Sequence, residues 1–500
     1  MMKHRLSMLV GVLLSVSSLV AQDPVAQKYG NIITSEDLKE YLTILASDAF
    51  EGRETGKRGQ KIAAAFISAH FQELGLAGPV EGSYYQPVTL YTSIPGDIYI
   101  KAGQQKFINF VDVAYYGSSS SDGEVSVPVV FAGLGRKEDF DQLNVEGKAV
   151  VIMNTDQNFR APLAIAREKG AKLALIYNPE PGAFKELVAQ FKGFLSGGSL
   201  SLKRPESNSK NTGIFFVSPN VAEKVLNSTA EKLAKAANED SKKGALKKLK
   251  PGTITYQIAM DVKTLKSENV LGYLEGTDKK DELVIITAHY DHIGKFASGE
   301  GDLINNGADD DGSGTVSVMS IAKAFAEAKK AGKGPRRSIL FMTVTGEEKG
   351  LLGSDYYTQH PVFPLDKTVV DLNIDMVGRS DPQHKDSAPY VYIIGSDKLS
   401  TELHTLSEAT NRTYTNLLFD YTYNDQNHPE RLYYRSDHWN FAKNNIPIIF
   451  YFDGIHEDYH KPSDEVDKIE FDLLTKRAQV VFYTAWEIAN REQRIATDKK

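Results

Sequence analysis

The sequence of 500 residues contains no cysteine. Disulfide bonds therefore cannot stabilise the chain, although an exported protein could use them. The absence also excludes thiolate ligands, so a site for zinc or a similar ion must be built from histidine and carboxylate side chains.

An excess of positive charge is lacking as well. There are 58 lysine and arginine residues against 65 acidic residues, which gives a formal net charge of -7. Nucleic-acid-binding domains usually carry a basic patch, so no nucleic-acid partner is expected. The lysine-rich stretch 232–250 is interpreted as an exposed helix and loop. Internal repeats and long low-complexity segments are also missing, which favours an ordinary globular protein of two or three domains.

The apolar run near the amino terminus is short. Lys3, His4 and Arg5 precede the apolar stretch 6–20, and Ala21 offers a small residue at a cleavage point. A membrane-spanning helix needs ~20 apolar residues, so the pattern predicts a signal peptide over residues 1–21. We expect the mature protein to be exported, periplasmic or secreted, with no membrane contact after signal removal. A retained membrane anchor is the alternative.

The rest of the chain changes character twice. Residues 22–110 are interpreted as the first part of a main domain, with helical spacing of apolar residues up to Leu74. Short β-like runs dominate residues 111–257, which are interpreted as an inserted β-rich domain. In residues 258–500, strand-length apolar runs alternate with amphipathic helical stretches. This alternation predicts an α/β three-layer sandwich with a mixed, largely parallel central sheet.

Polar groups follow three of the predicted strands. The apolar runs 283–288, 338–344 and 368–374 lead into His289, into Glu347-Glu348 and into Asp375. In open α/β sheets, sites form beyond the carboxyl ends of the strands. We therefore expect these three groups to converge on one crevice.

Two further polar groups lie in loops. Asp309, Asp310 and Asp311 stand between glycines before a predicted helix, and His460 lies between the last strand and the last helix. Successive carboxylates repel one another unless a cation or hydrogen bonds hold them. Two histidines and three acids are enough for two metal ions that share a carboxylate, and such pairs bind a hydroxide between them. In Glu347-Glu348, one glutamate can then bind metal while the other takes a proton.

Each of these groups alone has an ordinary explanation. A single histidine at a strand end is more often a part-buried structural residue. Paired glutamates after a strand usually form a solvated loop or a helix cap. The metal-site interpretation is preferred because it accounts for all five groups at once.

Five segments carry a family resemblance: AHYDH, GADDDGSG, TGEEKGLLGS, NIDMVGR and YHKPSDE. They occur in the order seen in the co-catalytic di-zinc aminopeptidase family, which includes bacterial secreted leucyl aminopeptidases and, more distantly, glutamate carboxypeptidase, glutaminyl cyclase and the transferrin receptor. The similarity extends from Asn269 to about Asn490. The early GRETGKRGQ segment also resembles the family's amino-terminal part. The insert resembles a protease-associated domain, with VEGKAVVIM as its best motif.

The resemblance implies two zinc ions per chain. His289 and Asp375 would hold one zinc ion, Glu348 and His460 would hold the other, and Asp310 would bridge them.

The resemblance also implies roles for residues around the metal ions. Glu347 would be the general base. Asp291 would accept a hydrogen bond from His289 and fix its tautomer. Tyr433 would supply a hydroxyl to the oxyanion, with Tyr434 as the alternative. Structural or supporting polar contacts are expected of the other polar residues in the same segments, which are His292, Asp309, Asp311, Asp437, His438 and His456.

The implied reaction is hydrolysis of the amino-terminal peptide bond of peptides with a free amino terminus, through a hydroxide bridging two zinc ions. A glutaminyl cyclase on the same scaffold would need only one zinc ion. A carboxypeptidase would use a basic pocket, which Arg379 or Arg435 could supply. A non-catalytic binding protein is a further alternative, but it would be expected to have lost ligands, whereas all five ligand positions and the position of the base are filled here.

Overall fold

The computed structural model describes residues 22–117, 119–155, 158–196, 199–205, 213–238, 244–385 and 387–499. The predicted signal peptide, 1–21, lies outside the described residues. The chain forms two compact units: residues up to Val88 together with those from Ser267 onward, and Thr89–Lys266 between them. The boundaries expected from the sequence, 110/111 and 257/258, both fall within the second unit. Its identity as a protease-associated domain stays a prediction.

The first unit begins with helices. They are α1 (Pro24–Gly30), α2 (Ser35–Leu45) and α3 (Arg58–Glu73), with a 3-10 segment at Asp48–Arg53. Two amino-terminal caps fix where α1 and α2 start: the Asp23 side chain accepts from the Val25 N–H and the Thr34 side chain from the Asp37 N–H. In α2 the residues Leu38, Leu42 and Leu45 are buried, at helical spacing.

The second unit is a mixed sheet with short helices. Its elements are β1 (Tyr85–Ala102, which starts in the first unit), β2 (Gln105–Ile108), β3 (Val113–Tyr116), β4 (Val125–Phe131), α4 (Lys137–Phe140), β5 (Ala149–Met153), α5 (Arg160–Glu168), β6 (Leu173–Tyr177), α6 (Ala183–Ser196), β7 (Ser199–Ser201), β8 (Gly213–Val217), α7 (Pro219–Leu226), α8 (Ala230–Asn238), α9 (Ala245–Lys248) and β9 (Thr253–Leu274, which ends in the first unit). Strands β4, β5, β6 and β8 pair in parallel, and β3 closes this part of the sheet antiparallel to β8. The buried strands β5 and β6 are apolar along their whole length, as expected of strands covered on both faces.

The remainder of the first unit alternates strands and helices. Its elements are β10 (Lys279–His289), α10 (Gly314–Lys330), β11 (Arg337–Val344), α11 (Leu352–Gln359), β12 (Thr368–Ile374), β13 (Tyr390–Ile394), α12 (Thr401–Tyr414), β14 (Leu418–Asp420), α13 (His438–Ala442), β15 (Ile448–Phe452) and α14 (Phe471–Asn490). Strand order is β14-β13-β15-β12-β10-β11-β9. Strand β10 pairs in parallel with β11 and with β12, β12 pairs in parallel with β15, and β13 with β14. The pairs β13/β15 and β9/β11 are antiparallel. The predicted α/β fold with a mixed, largely parallel sheet is confirmed.

Strand β10 shows why the sheet is covered on both faces. Val284 and Ile286 belong to a core that includes residues of α2, α3, α10 and α14. Leu283 and Ile285 point to the other face and join a core with Tyr357 of α11. Successive strand side chains alternate between faces, so a strand that is apolar at every position requires helices on both sides.

No helix in the described part of the chain combines the length and the apolar character needed to cross a membrane.

Candidate metal centre

The site lies at the carboxyl edge of the central strands. β10 ends at His289, opposite Val344 of β11, and β12 ends one residue before Asp375. Because these strands are parallel, their carboxyl ends meet at one edge of the sheet. The turn after β11 brings Glu347 and Glu348 to the same edge.

The acidic loop before α10 completes this edge. The N–H groups of Asp309 and Asp310 donate to the carboxylate of Asp464, at 3.0 to 3.1 Å. The carboxylate of Asp311 accepts from the N–H groups of His289, Gly314 and Met376. The peptide bond between Asp310 and Asp311 is cis. The loop is therefore fixed on both sides of Asp310, by the Asp464 carboxylate on one side and by the Asp311 carboxylate on the other. The Asp310 side chain faces the crevice.

The first group of possible ligands surrounds His289. Its Nε2 lies 3.3 Å from Asp310 Oδ1, 3.5 Å from Asp375 Oδ1 and 3.8 Å from Glu347 Oε2. The other ring nitrogen, Nδ1, donates to the Asp291 carbonyl at 3.0 Å. This hydrogen bond selects the tautomer with the proton on Nδ1, which leaves the Nε2 lone pair directed at the carboxylates.

The second group surrounds Glu348. His460 Nε2 lies 3.2 Å from Glu348 Oε2 and 3.1 Å from Asp310 Oδ2. His292 Nδ1 donates to Glu348 Oε1 at 2.8 Å and lies 3.8 Å from Asp310 Oδ2. Asp310 therefore presents one carboxylate oxygen to each group of donors.

The arrangement fits divalent cations. Among the described residues, Asp310 Oδ2 and His460 Nε2 are buried without a hydrogen-bond partner, although they lie 3.1 Å apart. His289, Glu347 and Asp375 offer ligand atoms within 4.8 Å of one another, and so do His292, Asp310 and Glu348. Two sets of nitrogen and oxygen donors on either side of one carboxylate suit a pair of zinc ions or similar metals. The structure thus brings together the five predicted ligands, whose individual roles stay predictions.

The protonation equilibria reflect the crowding of carboxylates. Burial raises the pKa of Glu347 well above its usual range, and the charges of Asp375 and Glu348 add to this, against an opposing effect of His289. Burial lowers the pKa of His460, but the carboxylates of Asp310 and Glu348 outweigh it and raise that pKa to about 10. Groups of buried carboxylates are stabilised by cations, so these shifts agree with a site built for positive charge.

Asp291 accepts the predicted hydrogen bond from His289 through its backbone and not through its carboxylate. His289 donates to the backbone carbonyl of Asp291, whereas the Asp291 carboxylate lies 4.0 Å from the ring nitrogen. The carboxylate instead accepts from the Thr55 hydroxyl at 2.6 Å and from the Glu347 N–H at 3.2 Å. Asp291 thus touches the predicted base as well as the predicted ligand.

The predicted oxyanion tyrosine, Tyr433, is not among the described residues that line the cavity. Of the described residues, those that line the cavity include Tyr459 but neither Tyr433 nor Tyr434. The Tyr433 ring contacts the rings of His438 and Trp439. The Tyr459 ring stacks on His460, with ring centroids 3.9 Å apart. Tyr459 immediately precedes a predicted ligand within the YHKPSDE segment, so the sequence contained the signal for it.

The residues left open by the sequence make supporting contacts. His456 Nε2 lies 3.1 Å from Asp309 Oδ2, and Asp309 Oδ1 accepts from the Gly378 N–H. Burial raises the pKa of Asp437 to about 7, and its carboxylate accepts from Ser354 at 2.5 Å. His438 Nε2 donates to the Tyr433 carbonyl.

Sequence reasoning missed Ser436 as a supporting residue. Its hydroxyl donates to Asp375 Oδ2 at 2.7 Å. A single serine forms no spacing pattern with other polar residues, so the sequence offered no reason to choose it.

The rest of the cavity wall is mainly apolar. Met376, Leu432, Phe450, Phe452 and Ile455 line it, together with the Arg435 side chain. The guanidinium of Arg435 also pairs with Glu430 at 2.8 Å. Arg379, the other arginine considered from the sequence, pairs with Asp458 at 3.2 Å.

A largely parallel sheet with two sets of metal donors at its carboxyl edge defines a metal-dependent hydrolase. Residues 269–485 match the model of Peptidase family M28. Aminopeptidase YwaD of Bacillus subtilis (strain 168) is 25% identical over 463 residues, which cover 91% of this chain and 85% of that protein.

Solved structures show the same fold. An aminopeptidase from Aneurinibacillus sp. strain AM-1 superposes with a TM-score of 0.57 at 20% identity, over 95% of this chain and 98% of the other. BSAP, a zinc aminopeptidase from Bacillus subtilis, superposes with a TM-score of 0.51 at 19% identity, over 94% and 99%. Over residues 269–485, the chain is therefore similar to peptidase family M28. The predicted family is confirmed, and so is the predicted class of enzyme, a metallo-aminopeptidase.

Proposed function

We propose that the chain is a zinc-dependent exopeptidase that hydrolyses the amino-terminal peptide bond of peptides, using two zinc ions. The observation that carries the proposal is the position of Asp310, whose two carboxylate oxygens face separate sets of donors. His289 and Asp375 form one set with Asp310, and Glu348 and His460 form the other. When bound, the two zinc ions would supply a bridging hydroxide and polarise the substrate carbonyl.

Glu347 is proposed as the general base. Its side chain lines the same cavity as His289 and Asp310, and its Oε2 lies 3.8 Å from His289 Nε2. The contact of its N–H with Asp291 fixes the backbone at this point. From there the carboxylate can accept the proton released at the nucleophile and return it to the leaving amine.

Tyr459 is proposed as the phenol that faces the developing oxyanion. It lines the cavity, and stacking on His460 fixes its ring. Hydrogen-bond donors that are fixed before the reaction stabilise charge most effectively in the transition state. This assignment replaces the sequence-based choice of Tyr433.

The free amino terminus of the substrate would be held by the acidic cluster of the site. Asp310, Glu347 and Asp375 all line the cavity, so an ammonium group would find negative charge close to the scissile bond. This contact explains a restriction to amino-terminal residues. A peptide with an acetylated amino terminus should then be cleaved far more slowly than the same peptide with a free one.

A carboxypeptidase is the second candidate, and the position of Arg435 favours it. This arginine lines the cavity and could bind a substrate carboxylate. Its pairing with Glu430 argues against that role, because the guanidinium charge is already balanced. A glutaminyl cyclase would be distinguished by a single zinc ion, and a binding protein by the absence of turnover.

Export of the protein is proposed from the sequence pattern of residues 1–21. Periplasmic or secreted protein would be detected by fractionation of the expressing cells, with amino-terminal sequencing to locate the cleavage point expected after Ala21.

The test of the proposal combines zinc content with amino-acid release from paired peptides. Each peptide is supplied with a free and with an acetylated amino terminus, and with a free and an amidated carboxyl terminus. Two zinc ions per chain and stepwise release from free amino termini are expected. Dependence on the free carboxyl terminus would support the carboxypeptidase, and full metal loading without release would leave the cyclase or the binding protein.

A further inference from the structure

A short loop at Gly52–Thr55 contacts the metal-binding segments directly and the proposed base through Asp291. It belongs to the GRETGKRGQ segment, to which the proposed reaction assigns no role. We name Gly52–Thr55 the clamp loop. Its backbone runs beside residues that follow β10: the Gly294 N–H donates to the Gly52 carbonyl at 2.9 Å and the His292 N–H to the Arg53 carbonyl at 3.2 Å.

The Arg53 side chain is fully buried and donates to four backbone carbonyls. Nε donates to Tyr290 at 2.9 Å, Nη2 to Gly307 at 2.9 Å, and Nη1 to Asn306 at 2.5 Å and to Leu45 at 3.3 Å. The planar guanidinium presents its donors in a fixed fork, so these four carbonyls are held in one geometry.

The carbonyls belong to two ligand-bearing segments. Tyr290 directly follows the predicted ligand His289, and Gly307 lies three residues before the predicted bridging residue Asp310. Arg53 therefore joins the end of β10 to the acidic loop. A ligand that moved away from the metal on either segment would have to break hydrogen bonds to a buried charge, which is costly.

The clamp loop adopts a backbone conformation that requires support. Arg53 has a φ of 49° and Gly52 a φ of 65°, both in the left-handed region. A Cβ at Gly52 would lie 2.4 Å from the Gly294 carbonyl oxygen and 2.5 Å from that of Asn305. A non-glycine residue in this region is strained and persists only where its surroundings hold it. Only glycine therefore lets the loop approach this closely.

Thr55 connects the clamp loop to the proposed base. Its hydroxyl donates to Asp291 Oδ2 at 2.6 Å, and Asp291 Oδ1 accepts from the Glu347 N–H at 3.2 Å. Both Thr55 and Asp291 are buried. A change at Thr55 would therefore alter the support of Glu347 while the four hydrogen bonds of the Arg53 side chain stay in place.

We infer that the clamp loop positions the metal centre in two ways: Arg53 holds the His289 and Asp310 segments in the metal-binding arrangement, and Thr55 holds Glu347 through Asp291. Both are positioning residues, since they act through other residues. The inference rests on the proposed function, because it assigns Glu347 as base and the two segments as ligands.

The first experiment measures zinc affinity of the full chain by competition with a chelator. Arg53→Lys keeps the charge but loses the fork, and Arg53→Met loses both. We expect zinc affinity to fall ~10–100-fold in these variants, as for other residues that orient metal ligands. The release of amino acids is measured separately on fully loaded protein.

Arg337→Met is the matched control. Arg337 is also fully buried and donates to the backbone carbonyls of Ile488 and Arg491. It starts β11, seven residues before the end of that strand, or ~23 Å away from the carboxyl edge. Its replacement should lower the unfolding temperature and leave zinc affinity unchanged, which separates loss of stability from loss of positioning.

Thr55→Val tests the second half of the inference and avoids a large change in the core. We expect unchanged zinc affinity and KM, and a kcat lowered about 10-fold because the base is less well fixed. Thr55→Ser keeps the hydroxyl and should restore kcat.

The outcomes separate the inference from the proposed function. Wild-type protein that binds no zinc and cleaves no peptide would overturn the proposed function and the inference with it. Active wild-type protein whose Arg53 variants bind zinc as tightly as before would overturn the inference alone. If neither Arg53 variant folds, the Thr55 variants decide: a kcat for Thr55→Val equal to that of the wild type would refute the inference.

Discussion

Replacement of Glu347 by glutamine separates two roles that the geometry allows for this residue. Glu347 lies 3.8 Å from His289 Nε2, only slightly farther than Asp310 and Asp375, so it could serve as a ligand as well as a base. Glutamine has the same shape and keeps the backbone N–H that donates to Asp291. It cannot accept a proton at neutral pH, so the change removes the base and little else.

The expected effect follows from the proposed role. General base catalysis contributes ~10²–10⁴-fold, which corresponds to ~2.7–5.5 kcal/mol in the activation free energy. We expect kcat to fall by this factor while KM and the content of two zinc ions stay unchanged. The five proposed ligands are all retained in the variant.

Steady-state kinetics on a free-amino-terminus peptide and elemental analysis of the same sample provide the measurement. Loss of one zinc ion would show that Glu347 is a ligand and would refute the assignment as base. An unchanged kcat with both zinc ions bound would refute the proposed mechanism altogether.

Three further outcomes are expected. Tyr459→Phe should lower kcat ~10²–10³-fold, as for loss of one oxyanion donor, whereas Tyr433→Phe should have little effect; the reverse order in steady-state kinetics would restore the sequence-based choice. Burial lowers the pKa of His438 to about 3, so the unfolded state takes up a proton below pH ~6.5 that the folded state refuses. Folding stability should therefore fall by at most ~1.4 kcal/mol per pH unit below that point, and denaturant unfolding should show a smaller acid loss for His438→Gln. Removal of zinc by a chelator should lower the unfolding temperature, because the buried carboxylates lose their cation, and added zinc should restore it; a midpoint insensitive to chelation would argue against a bound metal.

The arrangement of strands and ligands was predictable because two simple features of the sequence indicate it. Apolar runs such as 283–288 identify buried parallel strands, and the first polar residue after each run marks the carboxyl edge of the sheet. The positions of His289 and Asp375 follow from this rule alone. Asp310 and His460 lie in loops; their groups were assigned to the site because one metal centre accounts for all five groups, and the choice of Asp310 among the three acids came from the family resemblance.

Contacts that depend on side-chain direction were not predictable. The sequence predicted that His289 would donate to Asp291, but it could not tell that the acceptor would be the backbone carbonyl of that residue. A backbone acceptor leaves no trace in residue identity. The Asp291 carboxylate instead accepts a hydrogen bond from Thr55, which lies 236 positions away in the chain. No local sequence pattern predicts a contact over that separation.

The placement of the two tyrosines was not predictable for a related reason. Tyr433 was chosen from the family resemblance of the segment 433–438, but a 3-10 turn at Leu432–Tyr434 packs its ring against His438 and Trp439. Tyr459 lines the cavity because its neighbour His460 points inward and the two rings stack. Spacing fixes which residues share a turn, whereas packing decides which of them faces the cavity.

The separation of the clamp from its partners along the chain has a consequence for biosynthesis. Arg53 and Gly307 are 254 positions apart, and ribosomes add about 5–20 residues per second. Helices α2 and α3 therefore emerge roughly 10–50 s before the segments that cover their apolar faces. In the finished protein this separation costs little, because each doubling of a closed loop adds only ~0.6 kcal/mol. The consequence concerns the nascent chain instead. Leu38, Leu42 and Phe71, which are buried in the folded protein, remain exposed to aggregation while the second unit is synthesised.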